Sequence, residues 1–177
     1  FPMAKAHHFS EEAQLLAFVL QPTDTWNEEL LKNLEQTWGT IRHLGKLFPF
    51  NKTNYYQDEM GGGLYRGVLS FDFTLSPENI SREKIRSNEL ELEFSKSENR
   101  KVNIDIGYLD LDKVVLPSFK RGPFKLYAGK GIWLDMLVTY EKGKCSPTAW
   151  AFDDLKSNPY HHDLLLIREK FKKKFTK

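Results

Sequence analysis

Between Lys101 and Tyr140 the chain runs through four short apolar-rich segments, "KVNIDIGYL", "KVVLPSF", "FKLYAG" and "GIWLDMLVTY", parted by a few polar or turn-forming residues. A parallel pair needs a crossover of a dozen or more residues, so gaps this short fit only antiparallel neighbours. This run constrains the fold more than any other feature, and it predicts a mainly antiparallel sheet. Further strands come from the first half. "AQLLAFVLQ" (13–21) is apolar without alternation and reads as a buried strand. "TIRHLGKLFPF" (40–50) reads as another, ending near Pro49. "GLYRGVLSFDFTL" (63–75) alternates, with Tyr65, Leu69, Phe71 and Phe73 towards one face and Arg66, Ser70 and Asp72 towards the other. Gly67 falls on the apolar side, where another backbone or an aromatic ring is expected to come close.

Three segments carry helical signals. In "TWNEELLKNLEQTWG" (25–39), Thr25 and Glu28 have capping-box spacing, Trp26, Leu30, Leu34 and Trp38 recur at helical intervals, and Gly39 supplies the stop. "SPEN" (76–79) offers Ser76 as a cap with Pro77 in the first turn. The helix that follows is polar, and "ELELEF" (89–94) reads as its end. "NPYHHDLLLIREKFKKKF" (158–175) predicts a last helix capped by Asn158, with Pro159 first and an apolar stripe of Tyr160, Leu164, Ile167, Phe171 and Phe175. The expected architecture is α+β: a single domain over residues 1–177, with helices packed on one face of a mainly antiparallel sheet. Residues 1–10 are expected to be a flexible leader and 168–177 a basic helical end.

At 177 residues, 40% of them hydrophobic and 14% aromatic, the chain has the makings of one core rather than of a disordered protein. The formal charge of +2 is uneven. Without the last ten residues, "REKFKKKFTK", there are 20 basic residues against 23 acidic ones. A mildly acidic body argues against a nucleic-acid-binding face. Lysines at a helix C-terminus suit the dipole there. One cysteine, Cys145, builds neither a disulfide framework nor a cysteine zinc site within the chain, and it fits a cytoplasmic setting. The doublets His7-His8 and His161-His162 lack a third ligand at a diagnostic spacing. No apolar run reaches the length of a membrane span, and no signal peptide is visible.

Polar residues placed on strands and beside glycines mark the candidate site. In "VNIDIGYL", Asn103 and Asp105 face away from Val102, Ile104 and Ile106, as Arg66 does on its own strand. "NYYQDEMGGG" (54–63) gathers Tyr55, Tyr56, Asp58 and Glu59 just ahead of Arg66. Its glycines lack the G-x-x-x-x-G-K-[ST] spacing of a nucleotide-hydrolysing loop, yet backbone N–H groups in such a loop can hold an anion. "ELELEF" as a strand would line up Glu89, Glu91 and Glu93 for a divalent ion. As a helix, the preferred reading, it pairs only Glu89 with Glu93. No Ser-His-Asp or Cys-His arrangement stands out.

The blocks "PFNKTNYYQDEMGGGLYRGVLSF", "SNELE", "VNIDIGYLDLDKVVLPSFK" and "LYAGKGIWLDMLVTYEKGK" resemble, in this order, an uncharacterised bacterial family, domain of unknown function 4416. The resemblance implies that the family's polar positions fall on Tyr55, Tyr56, Glu59, Met60, Gly61, Arg66, Asn88, Glu91, Asn103, Asp105, Gly107, Tyr108, Lys113 and Lys120. Where the family carries His-Arg-Ile-Tyr, this chain has Phe124-Lys125-Leu126-Tyr127. If a family activity runs through that histidine, Phe124 implies a member that binds without turning over.

The expected function is therefore a site for a small anionic or phosphorylated compound at one end of the sheet. Arg66, Lys113 and Lys120 would supply charge, and Tyr55, Tyr56 and Tyr108 walls and hydroxyls. Asn88 belongs to the same set, while Glu59, Glu91, Asn103 and Asp105 would orient these groups or hold a metal. A catalytic version would use Glu59 or Asp105 as general base, on a metal-bound water in its metal-assisted form. The sequence specifies no cofactor. The alternative is a non-catalytic interaction or self-association module built on exposed Trp133, Trp150 and Phe152.

Overall fold

The computed structural model describes residues 12–51, 60–95 and 102–175. Among these, nine strands form one sheet, in the order β2-β4-β1-β5-β6-β8-β7, with β3 on β4 and β9 on β8. The strands are β1 (Ala13–Gln21), β2 (Ile41–Leu44), β3 (Phe48–Pro49), β4 (Tyr65–Leu75), β5 (Asn103–Leu109), β6 (Lys113–Ser118), β7 (Leu126–Tyr127), β8 (Trp133–Glu141) and β9 (Lys144–Pro147). Every pairing is antiparallel. The α+β class and the antiparallel sheet are thus as expected. The four helices are α1 (Glu28–Trp38), α2 (Ile80–Glu93), the single turn α3 (Asp153–Lys156) and α4 (His161–Lys172).

The sequence predicts the helices on one face of the sheet; in the structure they divide between both. β1 lies between β4 and β5, and all nine of its residues are buried. Its odd-numbered side chains, Ala13, Leu15, Ala17 and Val19, join Leu30, Leu34 and Trp38 of α1 and Leu90 of α2. Its even-numbered Leu16 and Phe18 join Leu155 of α3 and Leu164, Ile167 and Phe171 of α4. Strand side chains alternate between faces, so a strand covered on both sides must be apolar throughout. That is the physical reason for the unbroken run "AQLLAFVLQ".

The polar ends of β1 serve the backbone. Gln14 stands where the β1–β4 register shifts, and its amide donates to the carbonyls of Phe71 (2.6 Å) and Phe73 (3.0 Å). Burial without such partners would cost about 1–3 kcal/mol per group. On β4, Gly67 makes room for Trp26. A Cβ there would meet the indole at 2.7 Å, and the Trp26 N–H continues to the Gly45 carbonyl at 2.9 Å.

Three helix starts differ from the sequence reading. Asn27, not Thr25, caps α1, accepting the Leu30 N–H at 3.1 Å. Ser76 opens a 3-10 turn over Pro77–Asn79 without a side-chain cap, and α2 begins only at Ile80. Asn158 sits at φ +76°, a left-handed conformation that Asn tolerates better than most residues, so the chain turns before α4 starts at His161. The basic end stays docked: Arg168 donates to the Leu111 carbonyl at 2.8 Å and Lys170 to that of Arg42 at 3.1 Å. Among the described residues no helix is long and apolar enough to cross a membrane. The expected leader, 1–10, lies outside them.

Candidate functional site

The site exists because two strands part. β5 and β6 pair only at Tyr108↔Val115 and Leu109↔Val114. Beyond that, Leu116, Pro117 and Ser118 pair with β8 alone, and Pro117 has no N–H to give a ladder. At the fork the strands press together. A Cβ on Gly107 would come within 2.2 Å of Leu116 Cδ2 and 2.6 Å of the Val115 carbonyl oxygen. Below it, the Ile104 N–H has no strand to donate to on this side. The Glu91 carboxylate of α2 takes it at 2.5 Å.

The fork opens a cavity of about 260 Å³. α2 contributes Lys84, Asn88 and Glu91, and β5 contributes Asn103 and Asp105. β6 and the loop after it add Ser118, Phe119, Lys120 and Lys125, with Asp135 of β8 and Phe152 completing the wall. Because the sheet is split here, side chains from the α2 face and carboxylates from the α4 face reach the same space.

Formal charges on the wall balance, but hydrogen-bonding capacity does not. Two acceptors are engaged. Asp105 receives the Arg66 guanidinium at 2.8 Å, and Glu91 holds the Ile104 N–H. The donors are not. Lys84, 8% exposed, has no carboxylate in reach among the described residues. Its ammonium lies over the Phe119 ring, 5.7 Å from the centroid. The side-chain amides of Asn88 and Asn103 make no hydrogen bond among the described residues. Lys125 reaches the Ser118 hydroxyl at 3.2 Å and the Asp135 carboxylate only at 3.7 Å. Asp135 is 6% exposed, and its Oδ1 is buried without a donor. The nearby Trp150 N–H donates to the Met136 carbonyl at 3.0 Å. Burial pushes the Asp135 pKa up, against the pull of Lys125 and Trp150.

Arg66 is the keystone beneath this wall rather than part of its surface. Only 4% of its side chain is exposed. Its guanidinium passes over the Phe18 ring of β1, 5.2 Å from the centroid, and grips Asp105 on one side and Asp154 at 2.9 Å on the other. The expected phosphate fork is thus turned to two of the protein's own carboxylates. Phe50 lies 5.7 Å from the same guanidinium, and a third ring, Phe152, lies 5.1 Å from it while lining the cavity.

Of the residues singled out in the sequence, Asn88, Glu91, Asn103, Asp105 and Lys120 meet in the cavity. Tyr108 and Lys113 do not. Tyr108 is buried in the α1–α2 core, where burial raises its pKa, and Lys113 pairs with Asp110 at 2.7 Å. Tyr55, Tyr56 and Glu59 lie outside the described residues. "ELELEF" is helical as preferred, so Glu91 turns inward while Glu89 and Glu93 face solvent. Among the described residues no group of three His, Cys, Asp or Glu is placed to hold a metal ion. Phe124 stacks on Trp150, with centroids 4.6 Å apart. Lys84, Lys125 and Asp135 were missed. Lys84, Asn88 and Glu91 stand at i, i+4 and i+7, one side of a helix, and Asp135 shares the buried parity of Leu137 on β8.

One family model matches residues 11–171, that of the domain of unknown function DUF4416. No curated protein and no solved structure matches the chain.

Proposed function

Since the chain belongs to this family, whose description names no activity, we propose from the geometry that it binds a small anionic molecule in the fork between β5 and β6. One observation carries this reading. An ammonium and two carboxamides, from Lys84, Asn88 and Asn103, line one cavity without hydrogen-bond partners among the described residues, while the neighbouring carboxylates Asp105 and Glu91 are engaged. Lys84 and Asn103 are buried and Asn88 half-buried, and donors left over in a concave site suit an acceptor-rich ligand. The cavity is smaller than the roughly 300–1,000 Å³ usual for drug-sized molecules, which favours a compact ligand. The Asp105–Arg66–Asp154 chain sets the wall rather than the chemistry, and it removes Asp105 as a free base. We place this binding in the cytoplasm, where a lone half-buried thiol such as Cys145 is at home.

A thermal-shift series with inorganic phosphate, citrate and small phosphomonoesters tests the proposal against Lys84→Met. A ligand at 100 times its Kd adds about 2.7 kcal/mol of stability. Stabilisation that disappears in Lys84→Met supports the site. Equal stabilisation of both proteins contradicts it.

A second reading rests on a separate observation. The edge strand β7 exposes Leu126 (74%) and Tyr127 (61%), with Phe124 (59%) just before it. An exposed apolar edge is suited to self-association. Light scattering across a concentration series, with Leu126→Lys as the comparison, tests it.

A further inference from the structure

We infer that the occupant of the fork is a phosphorylated polyol, a phosphomonoester whose free hydroxyl is received by Asp135. This rests on the binding reading above and adds the chemical class.

The elements lining the cavity differ in what they lack. The α2 and β5 side, with Lys84, Asn88 and Asn103, is rich in unengaged donors and suits the oxygens of a phosphoryl group. The β8 side presents the opposite need. Asp135 has nine-tenths of its side chain buried and its Oδ1 has no hydrogen-bond donor, while the Trp150 N–H, close enough to favour the charged carboxylate, is directed at the Met136 carbonyl. An ionised carboxylate accepts only, so its natural partner is an O–H or N–H. Lys125 already places a cation 3.7 Å from the other oxygen. A neutral hydroxyl therefore fits beside Asp135 better than a second ammonium. A bare phosphate at this position would set like charges together. One molecule meets both needs if it carries its phosphoryl group towards α2 and a hydroxyl towards β8. Leu116 and the Phe119 and Phe152 rings line the cavity too, and offer apolar surface to its carbon chain.

Isothermal titration of the full chain with glycerol 3-phosphate and with inorganic phosphate tests this. Wild type is expected to bind glycerol 3-phosphate about tenfold more tightly, the worth of one good hydrogen bond to a charged group. Asp135→Ala is expected to erase that preference while leaving inorganic phosphate bound. Asp135→Asn, closer in shape, covers the case in which the alanine variant fails to fold, and should shrink the preference at least threefold. Equal affinities in wild type, or a preference that survives in a folded Asp135 variant, overturn the inference while leaving the anion site standing. If neither compound binds wild type, the anion site itself falls, and this inference with it.

Discussion

The Glu91 carboxylate accepts the Ile104 amide N–H at 2.5 Å, so a helix side chain takes the place that the next strand vacates where β5 leaves β6. The cavity can exist because that edge is satisfied without closing. Glu91→Ala leaves a buried N–H without this acceptor. The expected loss is about 1–3 kcal/mol of unfolding free energy, with Glu91→Gln milder because its carbonyl still accepts. Urea denaturation of the two variants checks the order.

Gly107 marks the point where the same strands are pressed together. Gly107→Ala forces a methyl to within 2.2 Å of Leu116 and 2.6 Å of a carbonyl oxygen. Overpacking of this kind costs about 1–3 kcal/mol, equivalent to a fall in Tm of roughly 2–12 °C for a chain of this size. Calorimetry measures it, and an unchanged Tm would mean that the fork is looser than described.

Arg66 stands between two carboxylates, and the Asp154 side chain is only 7% exposed. Arg66→Ala strands a buried charge, for which about 3–5 kcal/mol is expected. Arg66→Lys should recover part of this but not the two-sided grip, because an ammonium lacks the planar fork. Equilibrium unfolding distinguishes these cases. A loss below about 1 kcal/mol for Arg66→Ala would show the pair to be no better than a surface one.

Asp135 has a signature in pH. Burial raises its folded pKa above the unfolded value, so the native state holds the proton more tightly. Its contribution is fully present below the unfolded carboxylate pKa and is lost as pH rises through the folded one. Wild type should therefore lose stability relative to Asp135→Asn as pH climbs through that window. Denaturation of both proteins from acid to neutral pH tests the sign.

How far the sequence went follows from what kind of signal each feature leaves. Periodicity announced the strands from 103 to 141, the buried β1 and the apolar stripes of α1 and α4. It also put Asn103 and Asp105 on one side of β5, and both line the cavity. It did not reveal the fork, because strand parting leaves no local pattern: it depends on a glycine, a proline and a glutamate from three elements. The two-sided packing was implicit in the unbroken apolar run of β1, yet the polar body of α2 disguised that helix's share in it. Arg66 was picked out for its charge, but charge alone does not tell a ligand fork from an internal one. Caps were misplaced because candidates such as Thr25 and Asn27 differ only in where the chain turns, and Asn158 makes its turn ahead of the helix rather than at its first residue.

The central claim is that the donors of Lys84, Asn88 and Asn103 receive an anion. The most direct measurement is an NMR titration of nitrogen-15-labelled protein with inorganic phosphate, following the side-chain amides of Asn88 and Asn103. Saturable shifts of both resonances at one common Kd, absent in Lys84→Met, are the predicted result. Amides that stay in place while phosphate shifts resonances elsewhere, such as those of the basic end after Arg168, would contradict it.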